Sequence, residues 1–217
     1  MKQRVVEFIV ALFFAILMLP SALAQQDTER VTYSKVFPGS NPDFQLVTLI
    51  RTGEATYKQT EDDPDPVNFR IPDKVSAQIF DLAKELAYFA APLESGLKIA
   101  KMGDKTFRYE GAETHSQTFN YSTDLNAQKL LELFEKIAES QRLFLRLEYS
   151  LRFDRLGVND ALIAIDSARH RDRLIGADHL LPLLDQIINS KRYMNISRNR
   201  ADAIARGMRQ SIGQGAQ

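Results

Sequence analysis

Thr106-Phe-Arg-Tyr-Glu110-Gly-Ala-Glu-Thr-His115-Ser-Gln-Thr-Phe-Asn-Tyr121 decides the fold class of this chain. Phe107 and Tyr109 fall on one side of an extended backbone, with Thr106, Arg108 and Glu110 on the other. Gly111-Ala112 turns the chain, and Phe119 and Tyr121 repeat the pattern against Thr118 and Asn120. Successive strand residues point to opposite faces, so this is a hairpin with one aromatic and one polar face. A two-stranded sheet is marginal alone, and the four aromatics are expected to form a core against a helix rather than a stacking platform for bases or sugars.

Working towards the N-terminus, Leu97–Met102 reads as a further strand, with Gly103-Asp104 as its turn. Before it, Val75, Ile79, Leu82, Ala83, Leu86 and Phe89 recur at steps of three and four, the apolar face of an amphipathic helix. Pro72-Asp73 starts that helix, and Pro92 and Gly96 end it. A second hairpin precedes it: Phe44–Arg51, Thr52-Gly53, then Ala55–Thr60. The acidic loop Glu61–Pro66 leads into the alternating stretch Val67–Ile71. Residues 25–43 contain Pro38, Gly39 and Pro42 without periodicity, and read as an extended, flexible lead-in.

Towards the C-terminus, Ser122-Thr123-Asp124 is an N-cap cluster. Leu130, Leu133, Phe134 and Ile137 follow at helical spacing, continued by Phe144, Leu147 and Leu151; this helix is either long or broken near Ser140, and Gly157 is a second candidate break. Leu162 and Ile165 resume the spacing. Gly176-Ala-Asp178 caps a helix from Leu180, with Pro182 near its first turn. A last helix runs from about Ile196 to Met208, and residues 211–217 form a frayed tail. The expectation is an α+β protein: two antiparallel β-hairpin units over residues 44–140, each followed by a helix, then a helical C-terminal region over 141–210.

The first 24 residues stand apart. Lys2 and Arg4 precede an apolar run from Phe8 to Leu19, Pro20 breaks it, and Ser21-Ala-Leu-Ala24 supplies an Ala-x-Ala site. That is the layout of a secretory signal peptide cleaved after Ala24. A run of 12 residues is short of the roughly 20 that span a bilayer. The expected location is therefore periplasmic or secreted, without stable membrane insertion after cleavage. The chain has no cysteine, which excludes a lipid-modified N-terminal Cys, disulfides, thiol catalysis and thiolate metal sites.

Formal net charge is zero but unevenly spread. Residues 25–140 carry 13 Lys+Arg against 19 Asp+Glu, whereas residues 141–217 carry 13 against 8, and 12 of those 13 are Arg. Arg142, Arg146, Arg152, Arg155, Arg169, Arg171 and Arg173 are the candidate surface for an anionic partner. Export argues against nucleic acid and for an envelope protein, an anionic envelope polymer or lipid headgroups. Carboxylates at helical spacing from many of these arginines favour the plainer reading of solvated, internally paired helix faces.

No catalytic or metal-ligating constellation stands out, and no cofactor is implied. His115, His170 and His179 lack the four-residue spacing of a zinc helix and are expected as surface or capping residues. Ser95-Gly-Leu-Lys98 matches Ser-x-x-Lys, but Gly96 places it in a loop rather than at a helix start, and its companion motifs are absent. Asp62, Asp63 and Asp65 fail the EF-hand pattern at Val67 and Asn68. Asn120-Tyr-Ser122 and Asn195-Ile-Ser197 are glycosylation sequons that matter only in a glycosylating host.

Leu49-Ile-Arg-Thr-Gly-Glu54, Phe119-Asn-Tyr-Ser122 and Phe153-Asp-Arg-Leu-Gly-Val-Asn-Asp-Ala-Leu162 together resemble a group of uncharacterised exported bacterial proteins of the acidobacterial type. The resemblance spans most of the chain after the leader. It transfers no activity and no site residue. The expected function is a non-catalytic binding or interaction module of the cell envelope. Two alternatives stand beside it. One is an envelope hydrolase, which needs His115, or His170 with Asp166, to meet a nucleophile. The other is an assembly protein docking through its Arg-rich helices.

Overall fold

The computed structural model describes residues 29–215; the expected leader and cleavage site lie outside them. The strands are β1 (Arg30–Val36), β2 (Phe44–Ile50), β3 (Glu54–Lys58), β4 (Val67–Arg70), β5 (Asp104–Glu110) and β6 (Thr114–Phe119). They form one antiparallel sheet in the order β4-β3-β2-β1-β5-β6. The helices are α1 (Asp73–Glu85), α2 (Leu125–Phe153), α3 (Val158–His170), α4 (Leu180–Asn189) and α5 (Asn195–Gly215). The α+β class with a helical C-terminal part is as the sequence implies.

The lead-in needs correction. Within residues 25–43, Arg30–Val36 is a strand between β2 and β5, so the two hairpin units are halves of one sheet. Its side chains explain this: Val31 and Tyr33 are fully buried, while Arg30, Thr32 and Ser34 face outward. Only two apolar residues mark its core face, and the flanking Pro38, Gly39 and Pro42 belong to the turn beyond. Leu97–Met102 is likewise not a strand but a loop without regular structure. Of the four hairpin aromatics, Phe107, Tyr109 and Phe119 are buried; Tyr121 lies past the end of β6 and is exposed.

One face of the sheet is polar, with threonine contacts Thr32–Thr48 (3.4 Å) and Thr106–Thr118 (2.8 Å) across strand pairs. The other carries the core. Tyr33 stacks on Phe134 of α2 (5.4 Å), and Phe107 meets Phe89, Phe119 and Phe134 at 5.2–6.0 Å. Between α1 and β5, Ala87, Tyr88 and Phe89 adopt positive φ (49°, 51° and 66°). This left-handed turn buries Phe89 and stacks Tyr88 on Tyr109 at 4.3 Å.

α2 is continuous through Ser140, so the expected boundary at 140/141 falls inside a helix. Asp124 caps it, accepting from the backbone N–H groups of Asn126 and Ala127. Its first half packs on the sheet through Leu130, Phe134 and Ile137; beyond it, Leu147 joins a second core with Leu162, Ile165, Leu184, Ile187 and Ile204. The helix α5 continues to Gly215, so the tail from 211 is helical as far as it is described.

The segment between α3 and α4 is clipped to the middle of α2. Arg173 Nε donates to Glu139 (2.7 Å), Ile175 N–H to the Ser140 hydroxyl (2.9 Å), and Gln141 Nε2 to the Gly176 carbonyl (3.1 Å). Gly176 is at φ +61°, and a Cβ there would lie 3.0 Å from both Ile71 and Phe69 side chains. α4 starts after His179, and Asp178 contributes no side-chain cap.

Candidate functional site

Where the sheet passes under the middle of α2, its helix-facing side changes character. Val31 and Tyr33 of β1 pair with Leu49 and Val47 of β2 and with Tyr109 and Phe107 of β5. The next row is Lys105, Lys35 and Gln45. Glu135 of α2 lies over it, 3.3 Å from Lys35 Nζ. Lys105 is buried and donates to the carbonyls of Asn120 (2.7 Å) and Gly103 (3.1 Å). Burial, followed by the charge of Lys35, lowers its pKa below the usual lysine value. The Tyr33 hydroxyl points into this seam without a partner in hydrogen-bond geometry; burial above all, and then Glu135, pushes its pKa up.

Two turns further along α2, Arg142 leads out of the seam. Its Nε is buried and unpartnered; burial raises the pKa of Tyr57 as it does that of Tyr33, and the charge of Arg142 opposes this only in part. Beyond it lies an open groove of about 770 Å³, walled by α2 on one side and by Asn41, Pro42 and Gln59 on the other. Arg142, Arg146, Tyr149 and Phe153 recur at steps of four, three and four, so one helix face lines it. Tyr149 and Phe153 are 62% and 72% exposed with ring centroids 5.2 Å apart. Arg152 also lines the groove, bonded to Glu148 at 2.7 Å. The remaining acid, Glu139, is taken up by Arg173 at 2.7 Å and Arg171 at 3.7 Å. Among the described residues, Arg142 and Arg146 make no ion pair and no side-chain hydrogen bond, so the uncompensated charge of the groove is positive.

The seven candidate arginines therefore do not form one surface. Arg142, Arg146 and Arg152 converge on the groove. Arg155 sits beyond the end of α2, outside it. Arg171 and Arg173 belong to the clip, and Arg169 bonds Asp166 at 2.9 Å and lines a separate groove of mixed charge between α1, α2 and α5. Helical pairing accounts for Arg152 and Arg169, while Arg171 and Arg173 are held by a tertiary contact that no local spacing reveals.

The other candidates stay apart. His115 lies 3.4 Å from Glu113, and His170 3.5 Å from Asp166 and 3.0 Å from Arg169; among the described residues neither meets a hydroxyl nucleophile. His179 occupies the N-cap position of α4, without a side-chain cap, and is half-buried. It packs edge-on against Phe144 at 4.3 Å and beside Phe69 at 6.0 Å, and burial lowers its pKa to about 4. Ser95 Oγ donates to Glu94, not to Lys98. Asp63 accepts from the backbone of Gln59 and Asp65, as an acidic turn does. No three His, Asp or Glu side chains converge as a metal site among the described residues. No protein-family model and no curated protein matches the chain.

Sequence reasoning found the arginines but missed Tyr149, Phe153 and Gln59. The spacing of Arg142, Arg146, Tyr149 and Phe153 was readable as one helix face. The far wall was not, because Asn41, Pro42 and Gln59 reach it only through sheet topology.

Proposed function

We propose that the protein is an exported, non-catalytic interaction module of the cell envelope that holds an anionic polymer in the groove along α2. The observation that carries this reading is the pair Arg142 and Arg146, unpartnered among the described residues and aligned with two exposed aromatic rings. Unpaired guanidinium groups supply forked donors for carboxylate or phosphate oxygens. Tyr149 and Phe153 add flat apolar surface on which a sugar ring can rest. The envelope location rests on the leader. An anionic envelope protein is the neighbouring version of the same reading.

The test is binding of fluorescently labelled polygalacturonate to the chain from Gln25 onward, followed by anisotropy at rising salt. Wild type is expected to bind with an affinity that falls steeply with ionic strength. The double variant Arg142→Ala/Arg146→Ala is expected to bind about tenfold or more weakly, since a hydrogen bond to a charged group contributes roughly 1.5–3 kcal/mol. Equal binding by wild type and variant rejects the groove as the site.

A further inference from the structure

A second surface lies on the opposite side of the polar seam, away from the arginine groove. Leu97-Lys-Ile-Ala-Lys-Met102 is a loop without regular structure, and Leu97, Ile99 and Met102 are 55%, 46% and 57% exposed. Tyr121 is exposed beside it and Leu125 opens α2 a few residues on, also exposed. Scattered apolar residues on a surface are ordinary, whereas a contiguous group marks a contact site.

This loop is held, not loose. Asn120 accepts from Met102 N–H (2.9 Å) and donates to the Ala100 carbonyl (3.1 Å), while Ser95 N–H donates to the Tyr121 carbonyl (2.8 Å). Gly96 and Gly103 bound it at φ +68° and +93°, and a Cβ on Gly103 would lie 2.8 Å from Phe37. The fold therefore fixes the backbone that carries the exposed side chains. Behind them a mainly apolar pocket of about 290 Å³ opens between Ile99, Met102, Phe119 and Leu131, with Glu132 and Glu135 also in its wall, each paired with a lysine, Lys136 and Lys35.

Charge decides what fits. Lys98 and Lys101 alternate with the apolar side chains, Lys98 without an ion pair among the described residues and Lys101 3.0 Å from Asp104. The nearby Glu94 carboxylate is exposed; it accepts from the backbone N–H groups of Asn120 (2.6 Å) and Gly96 (3.4 Å), which lowers its pKa and keeps one negative charge at the root of the loop, one-for-one against the unpaired Lys98. Apolar side chains interleaved with lysines, with a tyrosine at the edge, suit the boundary between acyl chains and acidic headgroups. No helix among the described residues is long and apolar enough to cross a membrane, so contact would be in the interface plane.

We propose that the 97–102 loop is a membrane-contact loop that lays Leu97, Ile99 and Met102 into the surface of an anionic bilayer, with Lys98 and Lys101 on the headgroups. The inference is independent of the arginine groove. It is tested by flotation of the chain from Gln25 onward with vesicles of phosphatidylcholine alone and with 30% phosphatidylglycerol; starting at Gln25 keeps the run Phe8–Leu19 from binding lipid itself. Wild type is expected to float with the mixed vesicles and not with phosphatidylcholine alone. Leu97→Ser/Ile99→Ser/Met102→Ser should reduce the bound fraction about tenfold, and Lys98→Ala should reduce it about fivefold, the equivalent of roughly 1 kcal/mol per basic residue at a charged surface. Circular dichroism checks that each variant is folded, and Lys98→Ala alters a single exposed side chain. Wild type that stays with the soluble fraction overturns the proposal. So does a triple variant that floats as well as wild type, or one whose only change is loss of a dimer in sedimentation.

Discussion

Two groups of arginine come from the same Arg-rich half of the chain and the fold uses them differently. Arg171 and Arg173 close on Glu139, and with Ser140 and Gln141 they fasten the segment before α4 to the middle of α2. Arg142 and Arg146, one and two turns further along α2, have no such partner among the described residues and line an open groove beside Tyr149 and Phe153. Composition treats both groups alike. What separates them is whether a carboxylate is brought to them from a distant part of the chain. The contrast teaches that a basic excess marks a binding surface only after internal neutralisation has been subtracted.

The comparison breaks most visibly where the clip is tightest. Gly176→Val places a branched side chain at φ +61°, against Ile71 and Phe69 at 3.0 Å and the Arg70 carbonyl at 3.1 Å. The expected cost is about 3 kcal/mol or more, a fall in Tm of roughly 6–12 °C for a chain of this size. Thermal unfolding by circular dichroism measures it, and an unchanged Tm would show that the clip is not a structural fixture.

Acid should open the same region. His179 is held near a pKa of about 4 by burial against Phe144 and Phe69. A histidine in the unfolded chain titrates near 6.5, so between those values the unfolded state binds the extra proton. Stability is therefore full above about pH 6.5, is lost as pH falls, and levels off below about pH 4, by roughly 2–3 kcal/mol in all. Urea unfolding at several pH values reads this directly. His179→Phe keeps the aromatic packing and should flatten that part of the profile; an unaltered profile would assign the acid sensitivity elsewhere.

Much of this layout is visible in the sequence, for reasons that can be named. α1 and α2 announce themselves through long apolar stripes and a capping Asp124, and β5–β6 through aromatic alternation. β1 escapes notice because only Val31 and Tyr33 carry its core face before Lys35 interrupts the pattern, and that lysine pairs with Glu135 in the seam. Leu97–Met102 mimics a strand for the opposite reason: its apolar residues are real, but they face outward. The burial of His179 is equally hidden, since Phe69 and Phe144 reach it from distant parts of the chain. Local pattern carries the elements; the contents of the groove and the clip depend on non-local pairing.

The finest distinction is between two single arginines. Arg173→Ala leaves the half-buried Glu139 carboxylate without its 2.7 Å partner and removes one of the three contacts of the clip, those of Ile175 and Gly176 remaining. That variant should lose about 1–2 kcal/mol, more than an exposed surface pair contributes. Arg146→Ala removes an exposed side chain that touches no carboxylate among the described residues, and its stability should stay within about 0.5 kcal/mol of wild type. The opposite order is expected for polygalacturonate binding, with Arg146→Ala weakened and Arg173→Ala close to wild type once both are measured well below their melting temperatures. One variant that moves stability and another that moves binding would separate the two roles. If both variants changed both quantities together, the clip and the groove would be a single cooperative unit, and Arg173 would be acting on the polymer through the position of Glu139.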